Sequence, residues 1–284
     1  MYKLIKPIIS MKKTLVLIAF GVGLIFAGCQ SNKQKQTKTE AVEVEKTSYA
    51  GQAGCASDCL SKHELEALNT LTDQEKADGW QLLFDGKTLN GWKGFNGNDI
   101  SKGWVVRDGC LMSLGKGGDI GGDIITDKQY ENFELKLEWR ISHGGNSGIL
   151  YGVIDDPKYG AVYYTGPEYQ LLDDVGFPEK VEEWQLTGAN YGMYTADKSK
   201  KKLQMVGCPA FNTARIIVNG NHVEQWLNGG KVVGFERWTD DWGKRKNEGK
   251  WKDYPDYGMA KIGHISLQDH GSYIWFRNIK IREL

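Results

Sequence analysis

Residues 133–141 have the sequence Phe-Glu-Leu-Lys-Leu-Glu-Trp-Arg-Ile, with an apolar side chain at every odd position and a charged one at every even position. Successive side chains of a β-strand point to opposite faces of its sheet. The alternation therefore predicts a strand with one face in a core and the other in water. A sheet with one wet face is typical of antiparallel β-proteins.

Shorter segments repeat this alternation and are separated by Gly, Asn and Asp. Residues 215–218 and 222–227 flank Asn219-Gly220-Asn221, a turn sequence typical of a β-hairpin. Short strands between such turns, without any long helical pattern, predict an all-β fold of two packed sheets and exclude a doubly wound α/β fold. The other strands predicted in this way are 145–151, 231–235 and 274–284.

The chain before the β-rich region has helical character. Residues 61–68 fit a helix, and Thr72 with Glu75 fits a capping box, in which each side chain binds a backbone amide at the helix start. This second helix is expected to be short, because Gly79 follows. The sequence therefore predicts a short helical lead-in at 51–78 and one β-domain at 79–284.

Residues 1–28 have the features of a bacterial lipoprotein signal peptide. Met11-Lys12-Lys13 supplies positive charge, and residues 14–27 form an apolar run too short to span a bilayer. Residues 26–29, Phe-Ala-Gly-Cys, fit a lipobox. We expect cleavage before Cys29 and lipidation of that cysteine.

The segment after the lipobox cannot form a core of its own. Residues 30–47 are polar and lack aromatic side chains, so 29–50 is expected to be a disordered tether. A tether on a lipid anchor predicts a protein of the cell envelope, facing the periplasm and touching the membrane only through its lipid. An uncleaved membrane anchor is the alternative.

The net charge and the tryptophan content indicate which classes of ligand to expect. The formal net charge is zero, and the short run 198–202 is the main basic cluster outside the signal peptide and tether, so a nucleic-acid partner is not expected. The chain has ten Trp, which can fill a β-sandwich core or stack on sugar rings. Residues 238–257 are polar, Trp-rich and without a period, and are predicted as a surface loop of the kind that often carries function.

Four cysteines remain besides the lipobox cysteine. Cys55 and Cys59 are four residues apart and could pair in an oxidising compartment, although a bridge within one helical turn is strained. A zinc site there is the alternative, but His63 is the one further ligand nearby. Cys110 and Cys208 are predicted to be lone buried thiols.

The stretch 166–174, Gly-Pro-Glu-Tyr-Gln-Leu-Leu-Asp-Asp, is the leading candidate for chemistry. A strand here places Glu168 and Gln170 on one face. Asp173 has the opposite parity, and one β-bulge would return it to the same side. Two carboxyl groups flanking an amide suit sugar chemistry, in which one protonates a leaving oxygen while the other attacks or accepts a proton. A strand that merely carries solvated polar residues is the alternative.

Several segments outside this stretch occur in a characteristic order along the chain. Residues 71–80 (Leu-Thr-Asp-Gln-Glu-Lys-Ala-Asp-Gly-Trp) lead into residues 82–92 (Leu-Leu-Phe-Asp-Gly-Lys-Thr-Leu-Asn-Gly-Trp). They are followed by Gly145-Asn146-Ser147-Gly148, residues 168–173, Trp226-Leu227-Asn228-Gly229, Leu267-Gln268-Asp269-His270-Gly271 and residues 276–281, Phe-Arg-Asn-Ile-Lys-Ile.

In this order and spacing the segments resemble the 3-keto-disaccharide hydrolase domain family, from Leu71 to the C-terminus. The resemblance implies a concanavalin A-like jelly roll, made of two curved antiparallel sheets, and activity on glycosides oxidised at C3. The strand around Glu168 also resembles the E-x-D-x-x-E strand of laminarinase-type glucanases. Here the central acid is replaced by Gln170 and the last acid by the shorter Asp173, which argues against double displacement.

A 3-keto sugar implies its own chemistry. The C3 carbonyl acidifies the hydrogen on C2, so a base can form an enolate, the group on C1 can leave, and water can add back. This route needs a base, an acid and a donor near the C3 oxygen. His270 is a candidate base or acid, Glu168 is the rival base, and Asp173 could act as an acid or orient His270.

The remaining candidates concern binding. The amides of Asn146, Gln170 and Gln268 are expected to bind sugar hydroxyls, and Tyr151, Trp184 and Trp238 could stack on sugar rings or belong to the core. No cofactor is required by the sequence, although a divalent metal could stabilise the enolate. Its candidate ligands are Glu168, Asp173, Asp269 and His270.

Two other functions stay open at this point. A carbohydrate-binding module without catalysis could use the same fold, but such a module has no use for a carboxylate and a histidine together. A glycosidase acting on unoxidised glycans is the other alternative. The sequence favours an enzyme that hydrolyses 3-keto-disaccharides or other 3-keto-glycosides.

Overall fold

The computed structural model describes residues 61–116, 122–204 and 211–284. The predicted signal peptide and tether lie outside these residues, as do Cys29, Cys55, Cys59 and Cys208. Within the described ranges, no helix is long and apolar enough to cross a membrane.

Thirteen strands in the described part of the chain form two antiparallel sheets. Their bounds are β1 Gln81–Leu82, β2 Trp92–Gly94, β3 Trp104–Arg107, β4 Cys110–Leu114, β5 Ile124–Tyr130, β6 Phe133–Ile141, β7 Asn146–Val153, β8 Glu168–Leu172, β9 Asn212–Asn219, β10 His222–Leu227, β11 Gly230–Glu236, β12 Gly263–Leu267 and β13 Tyr273–Glu283. The larger sheet has the order β11-β10-β9-β6-β13-β4-β3, with β1 also paired to β13, and the smaller has the order β2-β5-β12-β7-β8. The predicted all-β, two-sheet jelly-roll sandwich is confirmed.

Short helices precede and interrupt the strands. They are α1 Lys62–Ala67, α2 Asp73–Ala77 and α3 Asp240–Glu248, with 3₁₀ turns at Phe95–Gly97, Ile100–Lys102, Val162–Tyr164 and Glu183–Gln185. The capping box of α2 is confirmed, because Thr72 accepts from the Glu75 amide and Glu75 accepts from the Thr72 amide. Local sequence chemistry thus predicts the start of α2, whereas residues 51–60 of the predicted lead-in lie outside the described residues.

The strand β6 confirms the bounds predicted from its alternation, and its odd-numbered side chains are buried between the sheets. The expectation that its charged face is wet is wrong for Glu134, which is only 2% exposed. Arg215 on β9 and Arg282 on β13 donate to the Glu134 carboxylate at 2.6 Å and 2.9 Å. Basic residues on the two neighbouring strands thus bury Glu134. The alternation within β6 cannot reveal this burial, because the covering residues belong to other strands.

Two local predictions are corrected. Residues 238–257 are not an irregular surface loop, because Thr239 caps α3 and Trp242 and Trp251 are buried. The helix is too short to establish a period in the sequence, although its Thr cap and acidic first turn were visible. Cys110 is disulfide-bonded and is not a lone thiol, and its partner lies outside the described residues.

The smaller sheet has two differently used faces. One face packs on the larger sheet and includes Ile149, Tyr169 and Leu171 in the main core. The other face carries Ile125 and Leu150, which pack in a separate apolar cluster together with Tyr159 and Val162. Because only part of this outer face is covered, the strands β7, β8 and β12 can present polar side chains to a cavity there.

Candidate active site

A cavity of about 440 Å³ lies on the outer face of the smaller sheet. The strand register explains which residues reach it, because Gly148 on β7 lies opposite Gln170 on β8, and the backbone amide of Gln268 donates to the Gly148 carbonyl at 3.0 Å. Residues of the same parity on neighbouring strands share a face. The cavity is lined by Asn146, Tyr163, Glu168, Gln170, Tyr191, Lys250, Trp251, Asp253, Tyr254, Gln268 and His270.

Glu168 begins β8 and is 5% exposed. Its carboxyl group leans over Gly148, where any side chain would overlap it. Among the described residues the Glu168 carboxyl makes no hydrogen bond. Burial, together with the negative charge of Asp123, raises the pKa of Glu168 to about 8, and the positive charge of Lys250 opposes this rise. A carboxyl group held in this way can exchange a proton near neutral pH.

Amide side chains surround this carboxyl group. Gln170 donates from Nε2 to Oδ1 of Asn146 at 3.0 Å, which fixes both amides in the cavity. The Oε1 atom of Gln268 is buried without a hydrogen-bond partner among the described residues. An unpaired buried acceptor is costly, so a ligand hydroxyl that donated to Gln268 would remove that cost. The structure thus brings all three predicted amides into one cavity.

His270 lies in the turn that follows β12, where its side chain is exposed and lines the cavity. The turn is held at two points. The Asp269 amide donates to Oδ1 of Asp123 at 2.9 Å, and the Gly271 amide donates to Oδ1 of Asp269 at 3.1 Å. Gly271 has a φ of +79°, a conformation in which glycine is favoured. The cavity therefore contains both Glu168 and His270.

Four aromatic residues that line the cavity form its aromatic wall: Tyr163, Tyr191, Trp251 and Tyr254. Trp251 stacks on the buried Tyr257 with ring centroids 4.2 Å apart and is in edge contact with Tyr254. Lys250 lies over the Tyr191 ring, 5.1 Å from its centroid. Sequence reasoning assigned none of these residues to the site individually. The one available indication was the Trp-rich composition of residues 238–257.

Asp173 does not lie among the cavity-lining residues. β7 and β8 pair in continuous register from Asn146↔Leu172 to Leu150↔Glu168, and the strand ends at Leu172, so the expected bulge is absent. The Asp173 carboxylate accepts hydrogen bonds from the backbone amides of Gly144 at 2.8 Å, Val175 at 3.2 Å and Gly176 at 2.9 Å. Although burial opposes the effect, these amides lower the pKa of Asp173. The carboxylate joins two turns instead of facing a substrate.

The three predicted stacking residues also lie outside the cavity lining. Tyr151 is 1% exposed in the core, which excludes stacking on a sugar. Trp184 contacts the edge of Tyr191, a residue that does line the cavity, with centroids 5.1 Å apart. Trp238 donates from its indole nitrogen to the Gly258 carbonyl at 2.9 Å. Trp184 thus packs against a cavity-lining tyrosine, and Trp238 holds the backbone at Gly258 by a hydrogen bond.

The four candidate metal ligands are not arranged as a metal site. Within the described ranges, no group of three or more His, Cys, Asp or Glu side chains could hold a metal ion. Asp173 is used by the turns, and Asp269 accepts from Gly271 within its own turn. The cation that the structure places near Glu168 is the Lys250 ammonium group.

Comparison with known proteins agrees with this architecture. Residues 79–282 match the 3-keto-alpha-glucoside-1,2-lyase-like domain family. A curated relative from Bacteroides thetaiotaomicron, named 3-keto-disaccharide hydrolase, is 31% identical over 94% of this chain and 96% of its own length.

Two solved structures from Parabacteroides distasonis ATCC 8503 are also similar, and both are presumed glycosyl hydrolases. The first has 44% identity and a TM-score of 0.70, covering 76% of this chain and 99% of its own. The second has 31% identity and a TM-score of 0.54, covering 72% and 99%. The chain is therefore an enzyme of the 3-keto-alpha-glucoside-1,2-lyase-like domain family.

Proposed function

We propose that this enzyme cleaves 3-keto-glycosides by elimination followed by rehydration. The observation that carries the proposal is Glu168, a buried carboxyl group with a pKa raised to about 8 that shares its cavity with His270. The names of the family and of the curated relative support a sugar oxidised at C3 as the substrate class. The presumed glycosyl hydrolases support the coarser assignment to glycosides.

In the first step, the ionised Glu168 carboxylate removes the hydrogen on C2 of the sugar. The C3 carbonyl takes up the electron pair and becomes an enolate oxygen. The ammonium group of Lys250 stabilises that negative charge, because a positive charge placed beside a developing oxyanion lowers its energy. Its position over Tyr191, and its charge interaction with Glu168, keep it beside the reacting atoms.

In the second step, the enolate collapses and the C1–oxygen bond breaks. The leaving oxygen takes a proton from His270, and a double bond forms between C1 and C2. Water then adds its oxygen to C1 and gives a proton back to His270. Glu168, after exchanging its proton with solvent, returns a proton to C2. The sum is one water consumed and one glycosidic bond hydrolysed, with no oxidant or reductant.

The amides and aromatic side chains bind and orient the sugar. Gln268 offers its unpaired Oε1 to a hydroxyl, and the Asn146–Gln170 pair offers further polar atoms. Tyr163, Tyr191 and Tyr254 are partly exposed and can contact the apolar faces of sugar rings. Binding of the whole substrate thereby places C2 near Glu168.

Direct displacement on an unoxidised glycoside is less well supported. That mechanism needs a second carboxyl group across the bond, and Asp173 is engaged by three backbone amides. The test is a comparison of matched glycosides, each in a native and a 3-keto form, with release of sugar as the readout. We expect release from the 3-keto form only. Equal release from both forms would support the glycosidase, and release from neither would support a binding module.

A further inference from the structure

Asp123 is a carboxyl group beside the cavity to which no function has been assigned. It immediately precedes β5, and the register Ile124↔Leu267 places it next to Gln268 on the neighbouring strand. Gln268 in turn lies beside Gly148, which lies opposite Gln170. These positions form one row across four strands of the outer face.

Gly148 leaves a gap in this row. The Glu168 side chain belongs to the next row but leans into the gap, since a β-carbon at position 148 would come within 2.9 Å of its Cγ and Cδ atoms. The Glu168 carboxyl therefore points toward the row that contains Asp123, and the two acids are close enough to repel each other electrostatically.

Asp123 is held firmly at this place. Its carbonyl accepts from the Phe95 amide at 3.0 Å, and its Oδ1 accepts from the Asp269 amide at 2.9 Å. The second bond crosses from β5 to the turn that carries His270. The Asp123 side chain thus contacts the turn that carries His270, and its negative charge acts on Glu168.

The charged and titratable groups around the pair come from several elements. Glu168 interacts electrostatically with Asp123, Lys250 and Tyr257, and Asp123 interacts with Asp269, Glu168 and Tyr163. Burial and the Asp269 charge raise the pKa of Asp123 to about 7, although the Asp269 amide opposes the rise. The negative charge of ionised Asp123 opposes the ionisation of Glu168.

We propose that Asp123 is a positioning residue of the active site: it tethers the His270 turn through the Asp269 amide and holds Glu168 in its protonated form until substrate and Lys250 favour the carboxylate. This rests on the proposed function only for the roles of Glu168 and His270. The tether and the charge effect are properties of the free protein, so they can be tested without any substrate.

Two variants separate the two roles. Asp123→Asn keeps an oxygen that can accept from the Asp269 amide but removes the charge, whereas Asp123→Ala removes both. Asp127→Asn is the matched control, because Asp127 is an exposed acid on the same strand. The readouts are the titration of the Glu168 carboxyl carbon by ¹³C NMR, assigned with Glu168→Gln, and the ring resonances of His270.

We expect Asp123→Asn to lower the midpoint of the Glu168 titration by about half a pH unit or more, as loss of a like charge requires, and to leave the His270 resonances in place. Asp123→Ala should lower the midpoint and also move the His270 resonances. An unchanged midpoint in Asp123→Asn overturns the charge role, and identical His270 resonances in both variants overturn the tether role. Failure to cleave 3-keto-glycosides would reject the proposed function but would leave these two results standing.

Discussion

The Glu168 carboxyl lies over Gly148 on the neighbouring strand, in space that any larger residue at position 148 would occupy. The two residues are on β8 and β7, and the diagonal relation between them depends on the antiparallel register Gly148↔Gln170. Because Gly148 has no side chain, the Glu168 carboxyl can occupy this space, where we expect it to contact a substrate.

Gly148→Ala should disable the enzyme without unfolding it. The new β-carbon would overlap Oε1, Cδ and Cγ of Glu168, and since these nearest atoms all belong to a flexible side chain, the side chain must move while the backbone can stay in place. Displacing a catalytic group by about 1 Å can cost roughly a hundredfold in rate, so kcat should fall by about that factor. Steady-state kinetics and the thermal midpoint of unfolding measure the two effects.

The matched control is Gly243→Ala in α3, where a β-carbon meets nothing within 4 Å. Alanine favours a helix over glycine, so this variant should keep full activity and unfold at the same or a higher temperature. Full activity of Gly148→Ala would show that the position of the Glu168 carboxyl does not limit turnover.

Glu168→Gln and His270→Ala should each lower turnover of a 3-keto-glycoside by about a hundredfold or more, the usual size of a general acid–base contribution. Substrate binding should survive, because the amides and the aromatic wall remain. Calorimetric titration with a 3-keto-glycoside and kcat measurements separate binding from chemistry. Glu131→Gln, which changes an exposed acid, is the control. Unchanged turnover in both site variants would show that neither Glu168 nor His270 transfers a proton during cleavage.

The pH dependence of kcat/KM should reflect the ionisation of Glu168. Because burial and Asp123 raise the pKa of Glu168 to about 8, the base form accumulates only as the pH approaches that value. We expect kcat/KM to rise with pH up to about 8 and then to level off, provided that Glu168 acts as the base in the free enzyme. A limb that falls with pH over this range would assign Glu168 the role of acid.

Protein stability should change with pH in the opposite direction. The folded-state pKa of Glu168 is raised above its ordinary value of 4.5, so the folded state holds the proton longer than the unfolded chain does. The contribution of this group to stability is therefore greatest below pH 4.5 and declines as the pH rises toward about 8. Glu168→Gln should accordingly raise the thermal midpoint at pH 8 relative to the parent and have less effect at pH 4.

Asp173→Ala should affect stability more than chemistry. The Gly144, Val175 and Gly176 amides would lose their acceptor, and the two turns would lose the carboxylate that joins them, at a cost on the order of 1 kcal/mol because water can reach the exposed Val175. We expect a lower thermal midpoint and a nearly unchanged kcat at temperatures well below it. A hundredfold loss of kcat with an unchanged midpoint would restore the catalytic role predicted from the sequence.

The sequence predicts the elements that depend on local chemistry. The β6 strand follows from its own alternation, the β9–β10 hairpin from Asn219-Gly220-Asn221, and the shared face of Glu168 and Gln170 from their spacing within one strand. The bulge predicted at Asp173 is absent, because the strand ends at Leu172 and three backbone amides of the following turns bind the carboxylate. Spacing alone does not show where a strand ends.

The remaining site residues lie far apart in the sequence. Asp123 and Gln268 are neighbours only through the pairing of β5 with β12, and a single sequence does not show which distant strands pair or in which register. Lys250 and Trp251 reach the cavity from the segment after α3, a helix of nine residues that is too short to show a period in the sequence. His270 was found only because its segment resembles the family.

The central claim is that the C2 hydrogen leaves during catalysis, and the most direct test is turnover of a 3-keto-glycoside in deuterium oxide. Released sugar is examined by mass spectrometry and NMR, with early time points and a control incubation of product with enzyme, so that exchange after release is separated from exchange during cleavage. The account predicts one deuterium at C2 in newly formed product. Product that keeps its original C2 hydrogen would contradict the enolate route and would instead support direct displacement at C1.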